Sequence, residues 1–224
     1  MKLIRLISPF FLLGSASAEI GYSLNIDLAS QYVSEGRTNT ENPFLSTTIE
    51  STFQDVTLGF FQGVAIGENL QETNFSFHYG TDLAEGLAFS IGYTHLEFTN
   101  EDASDNEVDV SLAYSFGDLW EASVVLVYSD EAEGYFAEAA ISKGIDLYKG
   151  LTITPYTLVA FDFGFVTEEF DGGNHIQVGF ELAYELNASV QTYLALHRSF
   201  ALEDIEREGL SGEFWANVGV TWEF

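Results

Sequence analysis

The chain has 224 residues, a net charge of −28 and no cysteine, yet 46% of it is hydrophobic and 15% aromatic. So acidic a protein repels polyanions, which excludes nucleic acid as a partner, and the lack of cysteine excludes disulfides and thiolate metal sites. The aromatic content argues against disorder, so acidic and apolar residues must be segregated within a fold.

The first residues, "MKLIRLISPFFLLGSASA", join Lys2 and Arg5 to an apolar run over 6–13 and a small-residue ending. This pattern predicts a secretory signal peptide over 1–18, followed by one domain over 19–224. The apolar run is too short to span a bilayer as a helix, and no later stretch approaches the roughly 20 apolar residues that such a helix needs.

From there the chain alternates. "YSLNIDLASQYV" sets Tyr22, Leu24, Ile26 and Leu28 against Ser23, Asn25 and Asp27. The segments 44–53 and 56–65 are less regular but rich in β-branched and aromatic residues. "TNFSFHYGTD", "GLAFSIGYTHLEF" and "EVDVSLAYSF" repeat the period of two, with Phe75, Phe77 and Tyr79, then Phe89, Ile91 and Tyr93, then Val108, Val110 and Leu112 on one face. The second half continues with 119–129, 135–143, 151–163, 175–186, 189–200 and 213–224. This reading yields about twelve amphipathic strands of the length of tilted membrane strands. Pro155 lies inside one of them and predicts an edge or a bulge there, because proline donates no ladder hydrogen bond.

The connections alternate too. "SEGRTNTENP", "IGENLQE", "TNEDASDNE", "DEAEG", "GFVTEEFDGG" and "ALEDIEREGLSG" are the longer ones, whereas "QD", "LAEG", "GD" and "NA" are short. "GIDLYKG" is the exception, too long for its side. Short turns at one end and long loops at the other are the habit of outer-membrane barrels, and an even strand count places both termini at the short-turn end.

A soluble sandwich or lipocalin-like barrel has the same periodicity but points its apolar face inward. Here that face carries large residues in every strand, more than a small interior could hold. Tyr22, Tyr32, Tyr93, Trp120, Tyr128, Tyr184, Trp222 and Phe224 lie toward strand ends, as interfacial girdles do. The predicted fold is therefore an all-β, transmembrane, antiparallel up-and-down barrel of about 12 strands, closed so that no backbone group is unpaired in lipid.

The opposite face then lines a lumen. Its acidic candidates are Asp27, Glu50, Asp109, Glu121, Glu138, Asp162, Glu181 and Glu213, with almost no basic residue among them. A wall of carboxylates favours cations, so the expected function is passive diffusion of small solutes or ions with a cation preference. A barrel without a continuous pore, serving structure or surface interaction, is the bland alternative. An enzymatic alternative is a lipid-modifying hydrolase built from His197, Ser199 and Glu213, which faintly resembles outer-membrane lipid A deacylases but points into the lumen and lacks the rest of their pattern. The scattered His78, His95 and His175 have no metal-ligand spacing, and no loop has calcium-loop spacing, so neither metal nor cofactor is expected. The acidic stretches "NEDASDNE" and "EDIERE" read as solvated loops. Outer-membrane lipid, lipopolysaccharide and the barrel assembly machinery are the expected partners.

At "SQYVSEGRTNTENPF" the sequence resembles the TorF-type porins of proteobacterial outer membranes, through Ser30, Tyr32, Val33, Gly36 and Pro43. "VTLGFFQGVAIG" is similar to that family's next aromatic-rich strand. The chain departs from the pattern at Glu35, where the family usually has arginine. The resemblance covers the N-terminal third, and it implies an outer-membrane, pore-forming class without assigning any residue a role. The final strand, "WANVGVTWEF", ends on alternating apolar residues and Phe224. It resembles barrel substrates of the assembly machinery, which makes Phe224 and Trp222 a candidate assembly signal.

Overall fold

The computed structural model describes residues 20–99, 103–117, 119–167 and 170–224. The expected signal peptide lies outside the described residues. The strands are β1 (Gly21–Ala29), β2 (Tyr32–Ser34), β3 (Arg37–Thr40), β4 (Phe44–Phe53), β5 (Val56–Ala65), β6 (Gln71–Ala84), β7 (Leu87–Phe98) and β8 (Ala103–Phe116). They continue with β9 (Trp120–Ser129), β10 (Gly134–Lys143), β11 (Ile145–Tyr148), β12 (Leu151–Phe163), β13 (Asp171–Asn187), β14 (Val190–Ala201) and β15 (Phe214–Glu223), and a short helix, α1 (Glu203–Arg207), precedes the last strand.

Neighbouring strands pair antiparallel in chain order, and two further pairings close the ring. One joins β10 to β12; the other joins β1 to β15, in register from Ser23↔Glu223 to Ala29↔Asn217. Phe224 completes this seam, since its N–H donates to the Tyr22 carbonyl and its carbonyl accepts the Tyr22 N–H, both at 3.0 Å. The result is the closed twelve-stranded barrel expected from the alternation, made of β1, β4–β10 and β12–β15, with β2–β3 a separate hairpin.

The two faces separate as the period of two requires. Leu58, Phe75, Phe77, Val124 and Val218 point outward and are about half exposed, whereas Ser90, Thr94, Asp109 and Gln177 point inward and are buried. At the outward short-turn rim Tyr114, Phe116 and Trp120 stack in succession, and the Lys143 ammonium lies 5.0 Å from the Trp120 ring centre. Tyr128 and Tyr135 pair at the long-loop rim, with centroids 4.9 Å apart. Tyr32 is a correction to the expected girdle: it is buried, and it stacks on Phe44 within the barrel, centroids 4.2 Å apart.

The structure resolves the two irregularities of the sequence together. "GIDLYKG" is mostly strand, because β11 pairs with the start of β12 and leaves only Lys149 and Gly150 as the turn. Pairing with β12 runs to Ser142↔Tyr156 and resumes at Ile145↔Ile153. Pro155 falls in that gap, and its missing N–H accounts for the division of one long strand into β10 and β11. The expected bulge lies elsewhere, between Ala160 and Phe161, opposite the extra residue Asn174.

Strands also extend into stretches that read as loops. Asp105 and Glu107 of "NEDASDNE" belong to β8 and are buried on its inner side. Asp105 accepts the Ser129 hydroxyl at 2.6 Å and the Glu131 N–H at 3.0 Å. In "EDIERE", Asp204 and Ile205 of α1 are fully buried. Among described residues these acids are therefore structural, not a solvated fringe.

Candidate functional site: the lumen and its crossbar

The lumen narrows at the long-loop end because β2 and β3 fold into it. "SEGR" makes the tight turn, with Glu35 at φ 43° and Gly36 at φ 72° between Ser34 and Arg37. Two successive positive φ values match the right-handed twist of a hairpin. Gly36 has a second reason to be glycine. A Cβ there would stand 2.7 Å from Ile205 Cδ1 and 2.8 Å from the His175 ring.

The base of the hairpin is fixed on one wall. Besides its stack on Phe44, Tyr32 donates its hydroxyl to Glu72 of β6 at 2.8 Å. Thr40 and Asn42 both donate to the Glu68 carboxylate, at 2.7 and 2.6 Å. Ala29, Phe44, Ala65, Leu70, Leu96 and Phe98 form the apolar cluster around Tyr32. Its tip is held on the other wall. Arg37 donates to Asp204 at 2.9 Å, to Glu208 at 3.0 Å and to the Thr167 hydroxyl at 2.9 Å. Asp204 is completely buried and also accepts from Asn174 at 2.7 Å. β6 and β13 are six places apart round the ring in either direction, so the hairpin lies across the lumen like a bar.

Burial raises the Glu35 carboxyl at the tip well above the usual range, and Glu107 and Glu138 across the lumen push it further, against the Ser34 hydrogen bond and Arg37. Arg37 is held fully charged, its bonds to Glu208 and Asp204 outweighing the cost of its burial.

Each of the eight predicted wall carboxylates has inward strand parity, but they divide by what they touch. Glu121, Glu138 and Glu181 are half-buried along the wall, and Glu50 is exposed toward the short-turn end, where Ser23 donates to it at 3.4 Å. Asp27 is braced by the Tyr193 hydroxyl at 2.7 Å and the Asn217 amide at 2.8 Å. Asp109 Oδ1 lies 3.8 Å from His78 Nδ1. Glu213 accepts from Gln31 at 3.3 Å. Asp162 is fully buried and takes the backbone N–H groups of Phe165, Val166 and Thr167 at 2.7, 3.0 and 3.0 Å, which makes it the anchor of the β12–β13 loop. Ser90 and Ser111 share a hydrogen bond at 2.7 Å, and Ser76 and Ser123 add hydroxyls to the wall.

Inward glycines keep large side chains flat against this wall. A Cβ on Gly219 would meet the Tyr193 ring at 2.3 Å, and one on Gly179 would meet the Tyr156 ring at 2.7 Å. Each ring occupies the space its neighbour's missing side chain leaves, and the lumen keeps the difference.

His197, Ser199 and Glu213 share the inner side, as parity required, but each is engaged elsewhere. His197 Nδ1 bonds the Tyr156 hydroxyl at 2.5 Å, and its ring stacks on Trp215. Ser199 Oγ accepts the Glu213 backbone N–H at 2.8 Å. The hydrogen bonds among described residues form no Ser–His–Glu relay.

Sequence reasoning missed Arg37, Asp204 and Glu208 as a unit. The available signal was an arginine directly after the Glu-Gly pair of "SEGR", in a chain with only seven lysines and arginines.

No family model matches the chain, and no curated protein matches it, so the TorF-type resemblance rests on the residues quoted for it. Solved structures do match. The chain is similar to the KdgM porin (12% identity, TM-score 0.66, covering 90% of this chain and 99% of that one) and to the NanC porin (10%, 0.62, 89% and 98%). It is also similar to the COG4313 outer membrane channel from Pseudomonas putida F1 (8%, 0.52, 94% and 97%). The fold is that of outer-membrane porin-type barrels. A KdgM porin is also known in complex with disordered oligogalacturonate (11%, 0.63, 91% and 99%).

Proposed function

We propose that the chain is an outer-membrane, porin-like channel for passive diffusion of small solutes, with a preference for cations. The observation that carries this reading is the distribution of charge. Glu50, Glu121, Glu138 and Glu181 are the wall carboxylates least engaged by other side chains, while Arg37, the one arginine among the described residues that enters the lumen, is neutralised by two carboxylates. In a low-dielectric tube, unneutralised carboxylates attract cations and repel anions. An acidic sugar chain such as the one bound by the KdgM porin would be repelled, so the shared fold does not carry over that ligand.

The outer apolar face with its aromatic rims supports a lipid setting, and outer-membrane lipid and lipopolysaccharide are the proposed surroundings. Trp222 and Phe224, at the seam, are the proposed signal to the assembly machinery. Reconstitution into planar bilayers tests the channel. Discrete conductance steps support it, and no steps at high protein load would leave a structural barrel as the better reading.

A further inference from the structure

We propose that Arg37 is a latch that holds the β2–β3 hairpin across the lumen, and that release of this latch widens the passage. The proposal rests on the channel reading and adds the element that meters flow.

Three observations carry it. First, the hairpin is anchored unequally. Its base is covalently continuous with β1 and β4 and is packed through Tyr32 into an apolar cluster, so it stays in place whatever the tip does. Its tip meets the far wall through Arg37 and through the packing of Gly36 on His175 and Ile205. Second, Arg37 draws on two separate elements, Thr167 of the β12–β13 loop and Asp204 and Glu208 at α1, and Thr167 donates in turn to Glu208 at 3.0 Å. The guanidinium fork suits this, because it satisfies several acceptors at fixed angles where an ammonium offers one point charge. Third, the latch is buried: the Arg37 side chain is 11% exposed and that of Asp204 not at all. Removing one partner leaves a desolvated charge without compensation, so the closed arrangement tolerates no half-made latch.

The chain lacks cysteine, so Ser34→Cys, at a position 3% exposed beside the turn, is a unique reporter of tip release. The experiment compares the labelling rate of this cysteine by a membrane-impermeant maleimide in the otherwise native barrel, with Arg37→Ala, and with Arg37→Lys. It also compares single-channel conductance of the native barrel, Arg37→Ala, and a barrel whose 34–38 turn is replaced by two glycines. Heat-modifiable gel mobility confirms that each barrel is folded. Arg37→Ala is expected to speed labelling on the order of tenfold or more, because loss of a buried ion pair shifts local opening at least that far. Arg37→Lys restores part of the protection. Conductance is expected to rise about twofold in Arg37→Ala and in the turn replacement, as a twelve-strand lumen regains its cross-section. Unchanged labelling in Arg37→Ala overturns the latch. Faster labelling with unchanged conductance in a conducting barrel overturns its control of the passage. Silence of the native barrel and of the turn replacement alike overturns the channel reading, and with it the metering role, while labelling still decides the latch.

Discussion

Gly219 and Tyr193 illustrate how single residues shape the lumen. The Tyr193 ring lies where a Gly219 side chain would be, while its hydroxyl is tied to Asp27. Gly219→Val therefore forces the ring off the wall, at the cost of about 1–3 kcal/mol typical of overpacking. Single-channel conductance should fall while the barrel still folds, and adding Tyr193→Ala should restore it; an unchanged conductance in Gly219→Val would contradict this role. Glu35 supplies a pH dependence. Its carboxyl is raised in the inserted tip, so the inserted state binds the proton more tightly than a tip in water. Insertion is thus favoured below the ordinary carboxylate range and weakens as pH rises through the raised value. Burial sets this shift, Ser34 and Arg37 oppose it and Glu107 of β8 and Glu138 of β10 add to it, with His175 of β13 and Asp204 and Glu208 at α1 around the tip. Current fluctuations should grow with rising pH, and Glu35→Gln should flatten that trend. A trend surviving in Glu35→Gln would assign it to another group.

At the scale of elements, the barrel strands were legible because a two-residue period, repeated about a dozen times, survives local noise. The closing seam was legible for the same reason. What escaped were segments whose surroundings, not whose period, decide their state. "SEGRTNT" is short and polar and reads as a loop, yet the surrounding strands and α1 supply Phe44, Glu72 and Asp204 as partners for the hairpin that Tyr32 and Arg37 fix in place. Asp105 and Asp204 read as solvated acids because a sequence does not reveal which backbone N–H groups or side-chain donors will need acceptors at a strand end. The wall carboxylates were legible as a face but not by engagement: parity placed Asp162 beside Glu181, and only the fold separates a loop anchor from a side chain left open along the lumen. The seam itself makes a prediction. Phe224 exchanges two backbone hydrogen bonds with Tyr22, so deleting it shortens the last pairing and removes the terminal ring of the proposed assembly signal. Membrane-inserted protein should drop severalfold, measured by heat-modifiable mobility, with the conductance of the surviving barrels unaltered. Normal membrane levels would refute that role.

For the whole molecule, the distribution of residues matches a lipid-facing barrel with an acidic interior. The apolar face is turned outward, the basic residues Lys143 and Arg198 lie over outward aromatic rings, and the inward Arg37 is paired. This division accounts for the joint excess of acidic and apolar residues that made the composition unusual at the outset. The most direct test is the zero-current potential of the reconstituted barrel between concentrated and dilute KCl at neutral pH. A cation-preferring lumen makes the dilute side positive, and neutralising Glu138 and Glu181 together reduces that potential. A potential of zero or of the opposite sign would contradict the cation preference on which the account rests.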